Sequence, residues 1–178
     1  QTLLTLRADH AAARDAVLMD VPEDFLDQLG LFSVQTKCTD KDEFLTRPDL
    51  GRQLSEEAVR ELQRRCVQHP DIQIYASDGL SSTAVQANLA NLLPILTEGL
   101  QAKGFTLGTP FFVKYGRVGV MDQISELLDA TVTCVLLGER PGLGSAESMS
   151  AYLAYRATVG MPEARRTVVS NIHRNGIA

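Results

Sequence analysis

Val132-Thr133-Cys134-Val135-Leu136-Leu137, closed by Gly138, is the stretch that decides the fold. It is apolar at nearly every position and does not alternate. Strict alternation marks a strand with one wet face, whereas a continuous run marks one covered on both faces, as in the middle of a parallel sheet. Upstream, Val120 to Leu128 reads as a helix and Phe111-Phe112-Val113 as a strand. Ile72-Gln73-Ile74-Tyr75-Ala76 is another strand, followed by a helix with Val85, Leu89, Leu92, Leu96 and Leu100 on one side. Pro94 lies inside that helix and predicts a kink or break near Asn91–Leu93. Ser55-Glu56-Glu57 supplies an N-cap and an acidic first turn for a helix with Val59, Leu62 and Cys66 on its face. Leu31 to Gln35 alternates as a half-buried strand does.

Downstream, Met149, Tyr152 and Leu153 have helical spacing and predict a helix over Ser145 to Tyr155; Thr167-Val168-Val169 predicts a last strand. At the start, Leu3, Leu6, His10, Ala13 and Val17 mark one helix face, with His10 read as a core packing residue. Pro22 opens a short helix that Gly30 ends. Repeated strand–helix–strand order predicts an α/β fold, an open and mostly parallel sheet with helices on both faces, preceded by N-terminal helices. Residues 1–30 are read as an N-terminal helical segment and 31–178 as one compact unit.

Composition narrows the partners. The 178 residues carry 17 Lys+Arg against 22 Asp+Glu, a net charge of −5, with basic residues interleaved among acidic ones. Nucleic acid is therefore not expected, since phosphate binding needs a dense basic face. No apolar run approaches the roughly 18–20 residues of a membrane span, so membrane insertion is not expected either. Cys38, Cys66 and Cys134 are odd in number, widely spaced and without CxxC, which argues against a disulfide framework or a zinc site and for a reducing cytoplasm. The chain starts at Gln1 and ends just after a turn-like Asn175-Gly176, so both ends read as cut.

Ligands of open α/β sheets bind beyond the carboxyl ends of the strands. Four stretches follow predicted strands and should share one edge. They are Ser77-Asp78-Gly79-Leu80-Ser81, Tyr115-Gly116-Arg117-Val118-Gly119, Gly138-Glu139-Arg140-Pro141-Gly142-Leu143-Gly144 and Ser170-Asn171-Ile172-His173. In the third, Pro141 fixes the backbone, Gly142 and Gly144 allow close approach, and the predicted helix after it would offer free N–H groups. Glu139 and Arg140 stand at its mouth, and paired surface charges are the bland reading. A hydrolase triad of His173, Ser77 or Ser81, and Asp78 is disfavoured because GxSxG is absent. A P-loop is excluded by the missing Lys. The DxHxxG pattern of corrinoid proteins that replace the lower ligand with His is also absent. Gly116-x-x-Gly119, a helix, a strand and Glu139 sketch a dinucleotide-binding βαβ unit, but without the full GxGxxG. The residues thus describe a binding-type domain with no evident catalytic group and no metal ligands of its own.

On these loops the sequence closely resembles the small (light) subunit of ethanolamine ammonia-lyase. The resemblance is carried by 45–52 (Leu-Thr-Arg-Pro-Asp-Leu-Gly-Arg), 77–81, 108–118, Asp122-Gln123-Ile124, 138–144 and 170–173, and it extends from about Gln1 to His173. It implies a Rossmann-like fold and a subunit of an adenosylcobalamin-dependent lyase that converts ethanolamine to acetaldehyde and ammonia. The large barrel subunit would hold ethanolamine and carry out the radical rearrangement. The small subunit would cover base-on cobalamin at the interface within a hetero-oligomer of several large and small chains. Cofactor contacts carried over residue by residue fall on Val118, Glu139 and Val168, where Val168 replaces a family Cys. Asp78, Gly116, Arg117, Gly138, Arg140 and Gly142 are secondary candidates on the same loops. The resemblance also implies a bacterial cytoplasm, inside an ethanolamine-utilisation microcompartment, and a longer chain at both ends. Two other readings remain: a dinucleotide-binding oxidoreductase domain using Gly116, Gly119 and Glu139, and an assembly subunit that touches no cofactor.

Overall fold

The computed structural model describes residues 3–141 and 147–173. Its elements are α1 (Leu3–Leu18), α2 (Glu23–Gln28), β1 (Phe32–Gln35), α3 (Lys41–Thr46), α4 (Glu56–Arg65), β2 (Ile72–Ser77) and α5 (Ser82–Ala102). Then come β3 (Phe111–Lys114), α6 (Val120–Leu128), β4 (Val132–Gly138), β5 (Met149–Tyr155) and β6 (Thr167–Ile172), with single 3-10 turns at Leu50–Arg52 and Glu163–Arg165. The six strands form one sheet in the order β1-β3-β2-β4-β5-β6. The β1, β3, β2 and β4 neighbours pair in parallel, while β5 is antiparallel to both β4 and β6. The sheet is therefore mixed, mostly parallel, with an antiparallel extension.

Helices cover both faces, as the sequence implies. On one face α4 (Ala58, Leu62) and α6 (Met121, Ile124, Leu128) pack on Tyr75, Phe111, Val113 and Val135. On the other, α5 (Ala84, Val85, Leu89, Leu93) packs on Ile74, Ala76, Phe112 and Leu136. β4 contributes to both cores, which is why its sequence does not alternate. Tyr75 and Phe111 stack with centroids 5.4 Å apart, locking β2 to β3. The Ser55 hydroxyl accepts from the Ala58 N–H at 3.1 Å, the cap expected of it. The three thiols are free and buried, one in each of three clusters: Cys66 on the α4/α6 face, Cys134 on the α5 face, and Cys38 with Phe44 and Tyr115.

Four expectations are corrected. The predicted helix over Ser145 to Tyr155 is strand β5 from Met149 onward; Ser145 lies outside the described residues. Met149, Tyr152 and Leu153 fit a helical period, but Met149, Ala151 and Leu153 also alternate with Ser150, Tyr152 and Ala154. Hydrogen bonding to the buried β4 decides for the strand. β6 runs to Ile172, so Ser170, Asn171 and Ile172 are strand and not loop. α5 continues through Pro94, so of the kink or break expected near Asn91–Leu93 the break does not occur. His10 is exposed, not core-facing: α1 rests lightly on the fold, with Leu6 and Val17 half-buried and Leu3 64% exposed.

Candidate functional site

β2 and β3 are adjacent, and the chain leaves their carboxyl ends toward opposite faces, into α5 and α6. That divergence opens the usual ligand crevice of an α/β sheet. Here the protein fills it. α3 lays Lys41 across the opening, with Nζ 2.9 Å from Asp78 Oδ2 and over the rings of Phe44 (5.1 Å) and Tyr115 (5.5 Å). Asp78 Oδ1 accepts from the Tyr115 N–H at 2.9 Å. Burial raises the Asp78 carboxyl above its ordinary range, against the pull of the Lys41 ammonium.

Its neighbours are equally committed. The Ser77 hydroxyl donates to Val113 O at 2.7 Å. Arg117 Nη2 donates to Phe44 O at 2.7 Å, with the guanidinium 4.5 Å above the Phe44 ring. A Cβ on Gly116 would lie 2.6 Å from Ser77 Oγ, and one on Gly138 would collide with Ser81 O. Both glycines thus permit close loop packing. Asp78, Gly116, Arg117 and Gly138 hold the strand ends together and do not form an open cradle.

The triad reading gathers no geometry: Asp78 faces Lys41, while His173 Nε2 is 2.8 Å from Asn171 Oδ1. The dinucleotide reading fares no better. β2 separates β3 from β4, so Gly116 and Gly119 are not on the strand beside Glu139. The first N–H groups of α6 donate to carbonyls of Arg117, Val118 and Gly119, leaving a pyrophosphate little to bind. Gly142 lies outside the described residues, as do Leu143 and Gly144. β5, not a helix, follows that loop, which removes the anion-binding argument. Arg140 is exposed at the rim. Among the described residues no group of three His, Cys, Asp or Glu could hold a metal ion.

The described parts of the four stretches do reach one edge, because β6, twice reversed, again runs parallel to β4. Val118, Glu139 and Val168 moreover come together on the α6 side of the sheet. Val118 and Val168 line one shallow cavity of about 320 Å³ with Tyr152, Glu163 and Arg166. Glu139 joins through Tyr152, whose hydroxyl donates to Glu139 Oε1 at 2.9 Å. Burial, then the adjacent Glu139, pushes the phenol up to about 12, so it remains a donor at neutral pH. Val168 is 48% exposed, an apolar side chain facing out from an edge strand. Below it Arg166 donates to Asp122 Oδ2 at 2.8 Å, and both side chains are buried.

Tyr152 and Arg166 escape sequence reading. Tyr152 sits in the segment read as a helix, and Arg166 in one without periodicity. A strand assignment for 149–155 would have placed Tyr152 on the face of Val135 and Val168, its register partners.

This arrangement is a shallow cavity walled by Val118, Val168 and the Tyr152 ring, with the charged Glu163 and Arg166 also in its lining and the Glu139 carboxylate held by the Tyr152 hydroxyl. Comparison with known proteins identifies the family. The profile of the family described as ethanolamine ammonia-lyase light chain (EutC) matches residues 1–178. The ethanolamine ammonia-lyase small subunit of Fusobacterium nucleatum subsp. nucleatum is 60% identical over 175 residues, 98% of this chain and 59% of that protein. That of Clostridium tetani is 60% identical over 176 residues, covering 99% and 60% respectively. That of Clostridium acetobutylicum is 53% identical over 176 residues, 99% of this chain and 73% of its own. The chain thus spans about three-fifths of the first two relatives. With the profile matched from first residue to last, the chain belongs to the ethanolamine ammonia-lyase light-chain family.

Proposed function

We propose that this chain is the cofactor-covering part of the small subunit of an adenosylcobalamin-dependent ethanolamine ammonia-lyase, working against a large subunit that holds ethanolamine. The observation that carries the reading is the meeting of Val118, Val168 and Tyr152 in one cavity, with Glu139 tied to its rim. A corrin ring has broad apolar surfaces edged by carboxamides. The valines suit the apolar surface, and Glu139 suits an amide N–H, so the residues present fit the group. When bound, adenosylcobalamin supplies the radical chemistry of the deamination. The chain's own residues bind, orient and exclude water: Val118 and Val168 form a dry wall, and Glu139 accepts a hydrogen bond from the rim.

No catalytic acid, base or nucleophile is assigned to this chain, and the opposite wall belongs to the large subunit. The wider reading includes a Rossmann-like unit over 31–178 carrying the site, with 1–30 as a helical extension. It also includes base-on cobalamin, a hetero-oligomer of large and small chains, and residence in a bacterial microcompartment. The family membership supports it.

The test is reconstitution. Large and small chains together, with adenosylcobalamin, are expected to release acetaldehyde and ammonia from ethanolamine, and omission of any one component to abolish this. Full activity of the large chain without this one would overturn the proposal.

A further inference from the structure

The three nominated contacts lie on separate elements: the loop before α6, the end of β4, and β6. What joins them is a fourth side chain. Val135, Tyr152 and Val168 form one row across β4, β5 and β6. Glu139 stands four residues beyond Val135, about 13 Å along the strand. The Tyr152 ring starts in the row of Val168, shares the cavity with Val118, and carries its hydroxyl out to Glu139 Oε1. A carboxylate on a half-exposed loop residue otherwise samples several rotamers, each free to turn to water. Anchoring one oxygen limits those rotamers and leaves the other able to accept a second hydrogen bond.

We infer that Tyr152 is a positioning residue, which fixes the Glu139 carboxylate toward the cofactor rim while its ring completes the apolar wall between Val118 and Val168. The inference rests on the cofactor reading above and adds a residue and a role to it. The phenol suits the task because it donates one hydrogen bond without bringing a charge, so Glu139 keeps its full capacity to accept another. A lysine or arginine there would neutralise the carboxylate and compete with the rim amides.

The experiment is a double-mutant cycle in the assembled large–small complex, read as the dissociation constant of adenosylcobalamin from its absorption spectrum. Glu139→Ala is expected to weaken binding about tenfold, the size of one charge-assisted hydrogen bond. Tyr152→Phe keeps the ring and is expected to weaken it several-fold. In the Glu139→Ala background, Tyr152→Phe is expected to have no further effect, because its action passes through the carboxylate. A tyrosine with a merely structural role would weaken binding equally in both backgrounds, and that result overturns the inference. If Glu139→Ala weakens binding and Tyr152→Phe does not, the positioning role falls while the cofactor site stands. If Glu139→Ala leaves affinity unchanged, Glu139 is no contact and the positioning role falls, while reconstitution decides the cofactor reading separately. Tyr152→Trp, which retains bulk and a donor but moves the donor, guards against a folding artefact and is expected to bind more weakly than Tyr152→Phe or equally so; parent-like affinity would count against positioning.

Discussion

Lys41 occupies the place where an α/β sheet ordinarily receives its ligand, with its ammonium between two aromatic rings and against Asp78. Such a pair is costly to break, because the remaining charge is stranded in a dry site. Lys41→Met is expected to destabilise the fold by about 3–5 kcal/mol at pH 7. The pH dependence has a definite sign. The folded-state Asp78 carboxyl lies above its ordinary 3.8, so between the two values the folded chain holds a proton that the unfolded chain has released. Its contribution to stability is complete below the ordinary value and is lost as pH rises through the raised one. Removing the Lys41 ammonium extends that window upward. The deficit of Lys41→Met relative to the parent should therefore shrink between pH 7 and pH 5 in urea unfolding. An equal deficit at both pH values would mean that Asp78 is already solvated.

α5 makes the case at the scale of the element. Pro94 sits inside a 21-residue helix that nonetheless continues through it. A proline there removes the bond that residue 94 would donate to Ala90 and crowds the preceding turn, at about 3 kcal/mol. Its stiffening of the unfolded chain offsets up to about 1 kcal/mol. Pro94 is exposed, so Pro94→Ala disturbs no core contact and is expected to stabilise by about 1–2 kcal/mol, raising Tm by several degrees. No change in a thermal melt would show that the helix has already relaxed around the ring. The same elements measure how far the sequence could be read. β2, β3 and β4 are evident because their apolar runs exceed what one wet face would permit. β5 is not, since Ala151 and Ala154 suit either structure and the decisive information is its pairing with β4. The site follows the same division. Val118, Glu139 and Val168 could be chosen from family likeness, but nothing in their spacing puts them together. That takes Tyr152, whose direction is hidden until β5 is known to be a strand. Asp78 and Arg117 show the converse: polar residues at strand ends look available in the sequence until α3, absent from the sequence reading, is seen to engage them.

For the molecule as a whole, one side of the sheet edge is closed by α3, and the other, toward β6, carries the shallow cavity lined by Val118, Tyr152, Glu163, Arg166 and Val168. On the proposed reading, this exposed wall is where the large subunit and the cofactor would meet the chain. Its interior, by contrast, is fully partitioned. One thiol lies in each of three clusters, and burial pushes Cys66 up to about 11 and Cys134 up to about 12. Thiols so protonated and enclosed react only when their own compartment opens. The protein thus carries three internal clocks, one for each region. Under native conditions an alkylating reagent should tag Cys66, at the end of α4, and Cys38, under the short α3, before Cys134 in the central strand. Mass spectrometry would read the order. If all three were tagged at one rate, the chain would breathe as a single piece; if Cys134 lags, the α5 side is the last to open.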